Sequence, residues 1–402
     1  MKKFVTLFPY ATNQTLSKDV GMIPYFLGKS GQYETKVVSY HCTTELFEKN
    51  NLGIFNNTID DQLHATKMGG AAYGLKYEAI PFSGSAGFLH WGILRYLIEE
   101  GKQIDILNLY HFNALSFCNA AFYKIINKKG KVYLKADLNN SIKFRIYKSR
   151  RFILYNFLVW LFLRAVDYIS VETPSGYRNL KSDKNIPLGK TYIIPNGVND
   201  IYIDSLKIEE LPLNQRDNII LFVGRFGVPF KNTELILDFV EKEGIPEGIK
   251  LVFMGPMLES IKQRVDRLFC QNNELKAKIT FLGNITDKRM LYETYAKAKV
   301  FCLPSKKGEG SPISIAEALN FGNYLLLSKE VGTASDFIAS EEIGQQFNPH
   351  DIYDFKRKVD WVINNITYID SNYPIIKSVA EKYKYSKITH DINSMLQCNN
   401  QK

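Results

Sequence analysis

Apolar runs typical of buried strands alternate with amphipathic helical segments through the second half of this 402-residue chain. The runs occupy residues 218–225, 250–254, 279–282, 300–304 and 324–328. Each of the first four is followed by a turn and then by a segment whose apolar residues have helical spacing. Strict alternation of this kind is typical of a parallel sheet with helices on its faces. The sequence therefore predicts a Rossmann-like α/β domain here.

The segment after the fourth run carries two glutamates in different settings. Ser311 is a good helix N-cap and Pro312 suits the first helical position, so a helix is predicted to begin there. Gly322 can end this helix, because glycine tolerates the left-handed conformation that often follows a last helical turn. Glu309 is therefore placed in a loop before the helix, and Glu317 lies about one and a half turns inside it.

The start of this helix is a candidate anion site, because the first N–H groups of a helix have no partner within it. The residues concerned are Gly310, Ser311, Pro312 and Ile313. A loop carboxylate beside them, Glu309, can accept hydrogen bonds from sugar hydroxyls, and Glu317 can hold a diol such as a ribose. The alternative is that Glu309 is only a loop charge and Glu317 an exposed helix residue.

A second candidate anion site follows the run at 218–225. Gly224 allows a ligand to approach the backbone closely, Arg225 comes directly after it, and Lys231 precedes the next helix. A strand end, a glycine and a helix N terminus together place guanidinium and ammonium groups around an anion such as a phosphate. The alternative is a surface arginine and lysine after an ordinary strand.

In the first half, predicted strands at residues 4–8 and 34–40 flank a glycine-containing loop at Gly21 and a short helix, which makes a βαβ unit. A further helix is predicted at 87–100. Its inward residues are expected to be Trp91, Leu94, Leu97 and Ile98.

Two more strands of the first half end in polar residues, at His111 and at Asp137. Ligands of open α/β sheets bind outside the carboxyl ends of the strands, so both residues are acceptor-side candidates. A structural histidine, a helix-capping aspartate and, for Gly21, a plain turn glycine are the alternatives.

Three segments closely resemble retaining glycosyltransferases of family 4, which have the GT-B fold: the first resembles the end of their N-terminal domain, and the other two resemble their donor-binding segments. They read IPNGV at 194–198, VGRF followed by KN at 223–232, and EGSPIS followed by EA at 309–318. The resemblance is specific over about residues 190–340 and only architectural before that. It implies an α/β protein with two Rossmann-like domains facing across a cleft and a C-terminal helix returning to the first domain. The expected domains are 1–198 with a helix at about 378–402, and 199–377 after a linker at 199–217.

The resemblance also implies a role for each candidate residue. Arg225, Lys231 and the helix N terminus would grip the donor diphosphate beside Gly224, with Glu309 on the sugar and Glu317 on the ribose. The turn of Gly283, Asn284 and Ile285 would meet the base through its backbone, and Gly21 lies on the acceptor side. Many members carry a His-Asp pair where this chain has Ala136 and Asp137, so that histidine is missing.

The reaction implied is transfer of a sugar from a nucleotide diphosphate sugar, expected to be a UDP-sugar, to a hydroxyl with retention. No cofactor and no metal are expected, because no DxD-type site is visible near these groups. A glycan or a polyprenyl-diphosphate-linked acceptor, in bacterial surface polysaccharide or glycoconjugate assembly, is expected. The alternatives are a non-catalytic nucleotide-sugar-binding subunit of a glycosylation complex and a GT-B nucleotide-sugar epimerase.

The net charge of +10 is concentrated in residues 1–196, which hold 25 basic and 14 acidic residues. Such asymmetry suggests an anionic partner, and residues 141–163 interleave basic and aromatic side chains as membrane-surface helices do. The alternatives are incidental surface lysines and a core helix. Five scattered cysteines without a CxxC pair, and no apolar run near the roughly 20 residues of a membrane span, favour a cytoplasmic protein. We expect peripheral binding at the inner membrane face and no nucleic-acid partner.

Overall fold

The computed structural model describes residues 1–9, 13–40, 76–80, 85–86, 89–136, 161–182, 190–306 and 309–397. It divides the chain into two compact units. Unit 1 comprises Met1–Ser205 and Lys384–Lys402, and unit 2 comprises Leu206–Tyr383. No helix in the described part of the chain is long and apolar enough to cross a membrane.

Unit 1 is built on a parallel sheet of seven strands. Its strands are β1 (Lys2–Phe8), β2 (Tyr33–Ser39), β3 (Lys76–Ala79), β6 (Ile106–Tyr110), β7 (Lys131–Ala136), β8 (Tyr168–Val171) and β9 (Lys190–Ile193), in the order β3-β2-β1-β6-β7-β8-β9. A separate antiparallel pair joins β4 (Ser85–Ala86) to β5 (Leu89–His90). The helices are α1 (Asn13–Leu16), α2 (Asp19–Lys29), α3 (Trp91–Glu100), α4 (Ala114–Ile126), α5 (Pro174–Ser182) and α6 (Asp200–Ser205).

The strands of unit 1 are apolar on both faces, because helices cover both sides of a parallel sheet. Successive residues of β1 point to opposite faces: Val5 and Leu7 belong to one buried cluster and Phe4 to another. The first cluster contains Ile93 and Leu97 of α3. The buried runs that the sequence predicted as strands are therefore the centre of this unit.

The inward face of α3 differs from the prediction. Trp91 and Ile98 are 52% and 63% exposed, whereas Ile93, Tyr96 and Leu97 are buried. Residues three and four apart share a helix face, and the packed face is the one that contains Ile93 and Tyr96. The helix also begins at Trp91 rather than 87, because Leu89–His90 pairs as a strand and His90 Nδ1 accepts the Ile93 N–H as an N-cap.

Unit 2 contains a parallel sheet of six strands. They are β10 (Ile219–Val223), β11 (Lys250–Met254), β12 (Ile279–Gly283), β13 (Val300–Leu303), β14 (Tyr324–Ser328) and β15 (Gly344–Phe347), in the order β12-β11-β10-β13-β14-β15. The helices are α7 (Thr233–Glu243), α8 (Glu259–Gln271), α9 (Leu275–Lys278), α10 (Lys288–Lys297), α11 (Ile313–Asn320), α12 (Ala334–Phe337), α13 (Ile352–Asn364), α14 (Ile366–Ser371) and α15 (Tyr373–Ala380). The strand–helix alternation read from the sequence is confirmed.

The last helix, α16 (Tyr385–Gln397), belongs to unit 1 and packs on α2. Tyr385 lies against Phe26 with ring centroids 6.1 Å apart, and the Tyr33 hydroxyl donates to Asn393 Oδ1 over 2.8 Å. The predicted return of a C-terminal helix to the first domain is confirmed.

Residues 199–217 are ordered elements rather than a plain linker. Asp200 begins α6 and its Oδ1 accepts the backbone N–H of Ser386, which ties α6 to unit 1. Arg216 is 6% exposed and donates to the carbonyls of Leu211, Ala298 and Phe321. Buried hydrogen-bonding side chains of this kind hold a segment in one conformation.

Candidate functional site

Two of the predicted donor-side turns and a third glycine turn, at Gly255, meet at the carboxyl edge of the unit 2 sheet. Gly224 follows β10, Gly255 follows β11, and Gly283 ends β12. The N–H of Gly224 donates to Met254 O over 3.0 Å, and the N–H of Gly255 donates to Gly283 O over 2.8 Å. The sequence placed Gly224 and Gly283 in separate turns, and sheet pairing joins them through the Gly255 turn, because β11 lies between β10 and β12.

Gly224 lies beneath the side chain of Lys231. A Cβ at position 224 would lie 3.5 Å from both Cδ and Cε of this lysine. The neighbouring backbone approaches more closely still, since a Cβ on Gly255, whose φ is +141°, would fall 1.8 Å from Gly224 O. The two glycines thus let strand ends and a basic side chain approach closely.

Asn232 explains how Lys231 is positioned. Asn232 has a left-handed φ of 52°, is 2% exposed, and its Nδ2 donates to Pro304 O over 3.2 Å and to Pro349 O over 2.9 Å. It therefore links the start of α7 to the chain just after β13. Asparagine is among the non-glycine residues that adopt the left-handed conformation most readily. The asparagine of the KN dipeptide was therefore the sequence feature that allowed this backbone conformation to be predicted.

The Lys231 ammonium forms an ion pair with Oε1 of Glu309. The two side chains are 16% and 13% exposed, and the Ser305 hydroxyl donates to the same Oε1 over 3.2 Å. The structure therefore brings together two residues that the sequence treated as separate ligands. Because both charges are largely removed from water, each stabilises the other more strongly than a surface pair would.

Other groups border this pair. Arg225 is exposed directly after Gly224. The Lys231 side chain also lines a small cavity whose other lining residues are mainly apolar, among them Phe226, Cys302 and Leu303. An apolar wall beneath the lysine stem and a charged head above it are typical of an amphipathic side chain at a ligand site.

The loop before α11 is fixed by the segment after β14. The N–H of Gly332 donates to Glu309 O, and the Thr333 hydroxyl donates to Gly310 O, each over 2.9 Å. The helix starts at Ile313 with Pro312 as N-cap, one residue later than predicted. Pro312 has an extended ψ of 125°, so it is not the first helical residue.

Glu317 is 8% exposed, so it is not the exposed helix residue of the alternative reading. Its Oε2 accepts a hydrogen bond from the hydroxyl of Tyr295 over 3.0 Å. Burial raises the pKa of Tyr295 well above its ordinary value, and the nearby Glu317 charge raises it further. The tyrosine therefore stays protonated and donates. The sequence did not single out Tyr295, which has the spacing of an ordinary core residue.

The turn predicted to meet a base is open. Gly283 has a φ of +68° and no atom lies within 4 Å of a Cβ built on it. Asn284 after it is exposed. An open glycine turn leaves backbone groups accessible, but the assignment of Gly283, Asn284 and Ile285 to a nucleotide base stays a prediction.

The unit 1 candidates lie in different settings. Gly21 is in the first turn of α2, not in a loop, and a Cβ there would be 2.1 Å from Leu16 O, so close packing of α1 and α2 requires a glycine. His111 follows β6 with a φ of 68°, and its N–H donates to Lys135 O. A histidine with a left-handed backbone conformation at a strand end indicates a position whose conformation the surrounding structure constrains. Asp137 and most of residues 141–163 lie outside the described residues.

A buried charged cluster at the carboxyl edge of the unit 1 sheet was not predicted from the sequence. Lys135 of β7 is 1% exposed, and its Nζ lies 3.4 Å from Asp19 Oδ2 and 3.5 Å from Glu172 Oε1. It also donates to Asn196 Oδ1 over 3.2 Å. The sequence signal for this cluster is a lysine inside the apolar run VYLKA. A lysine on a buried strand predicts nearby acceptors, because a buried ammonium group must be hydrogen-bonded or paired.

No group of three or more histidine, cysteine, aspartate or glutamate side chains is arranged to hold a metal ion among the residues the structure describes.

Residues 204–372 match the family model of glycosyl transferases group 1. No curated protein matches the chain. Among solved structures, a glycosyltransferase from Rickettsia africae has a TM-score of 0.69 at 13% identity, with 99% of each chain covered. HepE from Anabaena in complex with UDP has a TM-score of 0.65 at 14% identity, covering 98% of this chain and 99% of that one. Sucrose-phosphate synthase from Thermosynechococcus elongatus has a TM-score of 0.66 at 14% identity, covering 99% and 98%.

Likeness at such identities establishes the fold, which is the two-domain GT-B fold with a Rossmann-like domain in each unit. The family match covers unit 2 up to Asn372 and therefore includes every donor-side residue described above. The family match thus shows that residues 204–372 are similar to glycosyl transferases group 1, and the solved structures show the fold.

Proposed function

We propose that this chain is a retaining glycosyltransferase of family 4 that moves a sugar from a UDP-sugar to a hydroxyl acceptor. The observation that carries the proposal is the pairing of Lys231 with Glu309 above Gly224, inside the segment that matches the group 1 model. The Lys231 ammonium beside the backbone of Gly224, which has no side chain, suits the binding of a diphosphate. A carboxylate beside that cation suits the hydroxyls of the attached sugar.

In the proposed reaction, the bond between the anomeric carbon and the diphosphate oxygen breaks while negative charge builds up on the leaving diphosphate. Arg225, Lys231 and the N terminus of α11 would stabilise this charge, because fixed positive groups act where charge develops. The acceptor oxygen bonds to the same face of the anomeric carbon and its proton passes to the leaving phosphate oxygen. No separate base is then needed, which suits a chain with Ala136 in place of the family histidine.

Glu309 would hold sugar hydroxyls and Glu317 the ribose, while Gly283, Asn284 and Ile285 would meet the base. Metal independence is part of the proposal, since cationic side chains and a helix N terminus can neutralise a diphosphate. The sugar would be a hexose or an N-acetylhexosamine.

For the acceptor we propose a glycan or a polyprenyl-diphosphate-linked sugar, with Gly21, His111 and Asp137 on the acceptor side. The excess of positive charge in residues 1–196 supports an anionic, membrane-held acceptor and peripheral attachment at the cytoplasmic membrane face. Flotation with anionic vesicles tests this part separately. Binding should occur at low salt, fall as salt rises, and weaken when Lys148, Arg150 and Arg151 are neutralised.

The experiment that tests the function is incubation of the purified chain with radiolabelled UDP-, GDP- and ADP-sugars and a panel of glycan and lipid acceptors. Label in an acceptor supports the transferase, and its anomeric configuration decides retention. Interconversion of the free nucleotide sugar would indicate an epimerase instead. Binding without either reaction would indicate a non-catalytic subunit.

A further inference from the structure

Tyr295 of α10 is a fully buried residue whose hydroxyl reaches a site carboxylate. Its side chain is 0% exposed, and the hydroxyl donates to Oε2 of Glu317 over 3.0 Å. Its ring packs with Phe301 and Phe321, with centroids 6.0 Å and 6.1 Å away. Because close packing restricts a buried ring to few orientations, the hydroxyl is a fixed donor rather than a mobile one.

The backbone that carries this tyrosine is fixed as well. The Asn323 Nδ2 donates to Tyr295 O over 2.9 Å and to Ala298 O over 2.7 Å, and Asn323 is 0% exposed. Arg216 Nη1 donates to Ala298 O over 3.0 Å and to Phe321 O over 2.8 Å. These hydrogen bonds therefore connect the end of α10 to the end of α11. They set the position of the Tyr295 hydroxyl relative to Glu317.

The carboxylate needs such a partner. A charge as buried as Glu317 is costly unless hydrogen bonds replace its lost water, and a bond from a hydroxyl to an ionised acceptor is of the stronger kind. An ionised carboxylate offers about four acceptor positions. The Tyr295 hydroxyl occupies one of them.

We propose that Tyr295 is a positioning residue for nucleotide recognition, whose hydroxyl orients Glu317 so that its carboxylate accepts the two ribose hydroxyls of the donor. The inference rests on the proposed function, in which Glu317 binds the ribose. Tyr295 touches no substrate and acts through Glu317. Its loss should therefore weaken only ligands that carry those hydroxyls.

The test compares two ligands on two proteins by isothermal titration calorimetry. UDP and 2′,3′-dideoxy-UDP, with the corresponding GDP and ADP pairs, are titrated into the wild-type chain and into Tyr295→Phe. Phenylalanine keeps the ring packed with Phe301 and Phe321, so the fold is expected to survive. The variant should bind the ribose form of the preferred nucleotide about 10-fold more weakly, the scale of one lost hydrogen bond. Its affinity for the dideoxy form should stay unchanged.

Tyr324→Phe is the matched control. Tyr324 is also 0% exposed in unit 2, and its hydroxyl donates to Glu341 O over 2.9 Å, so the variant loses a part-buried tyrosine hydrogen bond that does not involve Glu317. It should bind both ligands as the wild type does. Glu317→Gln is the reference for a damaged ribose site and should lose the preference for the ribose form.

Two outcomes would overturn the inference and leave the proposed function standing. One is unchanged affinity of folded Tyr295→Phe for the ribose form. The other is equal weakening of the ribose and dideoxy forms, which would mean that the hydroxyl only supports the fold. If the wild type binds none of the three nucleoside diphosphates, the proposed function fails and the inference fails with it.

Discussion

The Lys231 ammonium and the Glu309 carboxylate form an ion pair that joins the chain after β10 to the chain after β13. In the proposed function, an incoming diphosphate would compete with Glu309 for the lysine. Transfer of Lys231 to the diphosphate would release Glu309 for sugar hydroxyls. The proposed function therefore implies that diphosphate binding and sugar binding are coupled through this ion pair.

Replacing the basic groups should slow catalysis. Lys231→Ala and Arg225→Ala should each lower kcat/KM for sugar transfer about 100-fold, the scale of losing one group that stabilises transition-state charge. Lys250→Ala serves as control, because this lysine is 58% exposed and its carboxylate partner Asp217 is 3.8 Å away. Near wild-type kcat/KM in a well-folded Lys231→Ala or Arg225→Ala protein would refute the diphosphate assignment.

Glu309→Gln should separate catalysis from binding. We expect kcat to fall about 100-fold because the charged acceptor for sugar hydroxyls is lost. UDP should bind as tightly as to the wild type, or more tightly, because glutamine no longer competes for the Lys231 charge. Steady-state kinetics and calorimetry with UDP measure the two effects. A weaker UDP affinity with unchanged kcat would contradict both statements.

Gly255→Ala should be strongly destabilising. The new Cβ would fall 1.8 Å from Gly224 O, so the two strand ends would have to separate. Gly248→Ala is the control, since Gly248 also has a positive φ of +74° but no atom lies within 4 Å of a built Cβ. Urea unfolding should show a loss of about 1 kcal/mol for the control, from backbone strain alone. If both variants lose the same free energy of unfolding, the close contact between position 255 and Gly224 O does not contribute to the destabilisation.

Lys135→Met should destabilise unit 1 by about 3 to 5 kcal/mol, because Asp19 and Glu172 would be left buried without their cation. Lys131→Met on the same strand is the control. Lys131 is 43% exposed and lies 3.5 Å from Asp167, so its loss should cost under about 1 kcal/mol. Chemical denaturation measures the free energy of unfolding of both variants and of the wild type. Addition of Glu172→Gln to Lys135→Met should restore part of the loss, and an unchanged midpoint for Lys135→Met would contradict the expectation.

Sugar transfer should continue in excess EDTA. Cationic side chains and the N terminus of α11, rather than Mg²⁺, are proposed to neutralise the leaving diphosphate. The assay is transfer of label after dialysis against EDTA, with a Mg²⁺-dependent enzyme in parallel to show that chelation is complete. Loss of activity that Mg²⁺ or Mn²⁺ restores would overturn this part of the proposal.

Local sequence was enough to predict most strands and the helices of unit 2. Strands such as β10 and β13 are continuous apolar runs, and the helices between them carry their own periodicity and end signals. Where several faces of a helix were apolar, local information was insufficient. In α3 both Trp91 and Leu97 fit a helical stripe, and only packing against the rest of unit 1 decided that Leu97 is buried and Trp91 exposed.

The sequence by itself determined the order of the elements and the chemical types at the site, because periodicity, glycine turns and the motif around Glu309 are short-range properties. Only the tertiary structure decided which of these side chains meet. Lys231 reaches Glu309 because β10 and β13, far apart in the chain, are neighbours in the sheet. Tyr295 reaches Glu317 because two helices pack side by side, and Lys135 meets Asp19 across a sheet whose strand order no local pattern specifies. Contacts of this kind depend on how elements pair and pack, and that is a property of the whole fold.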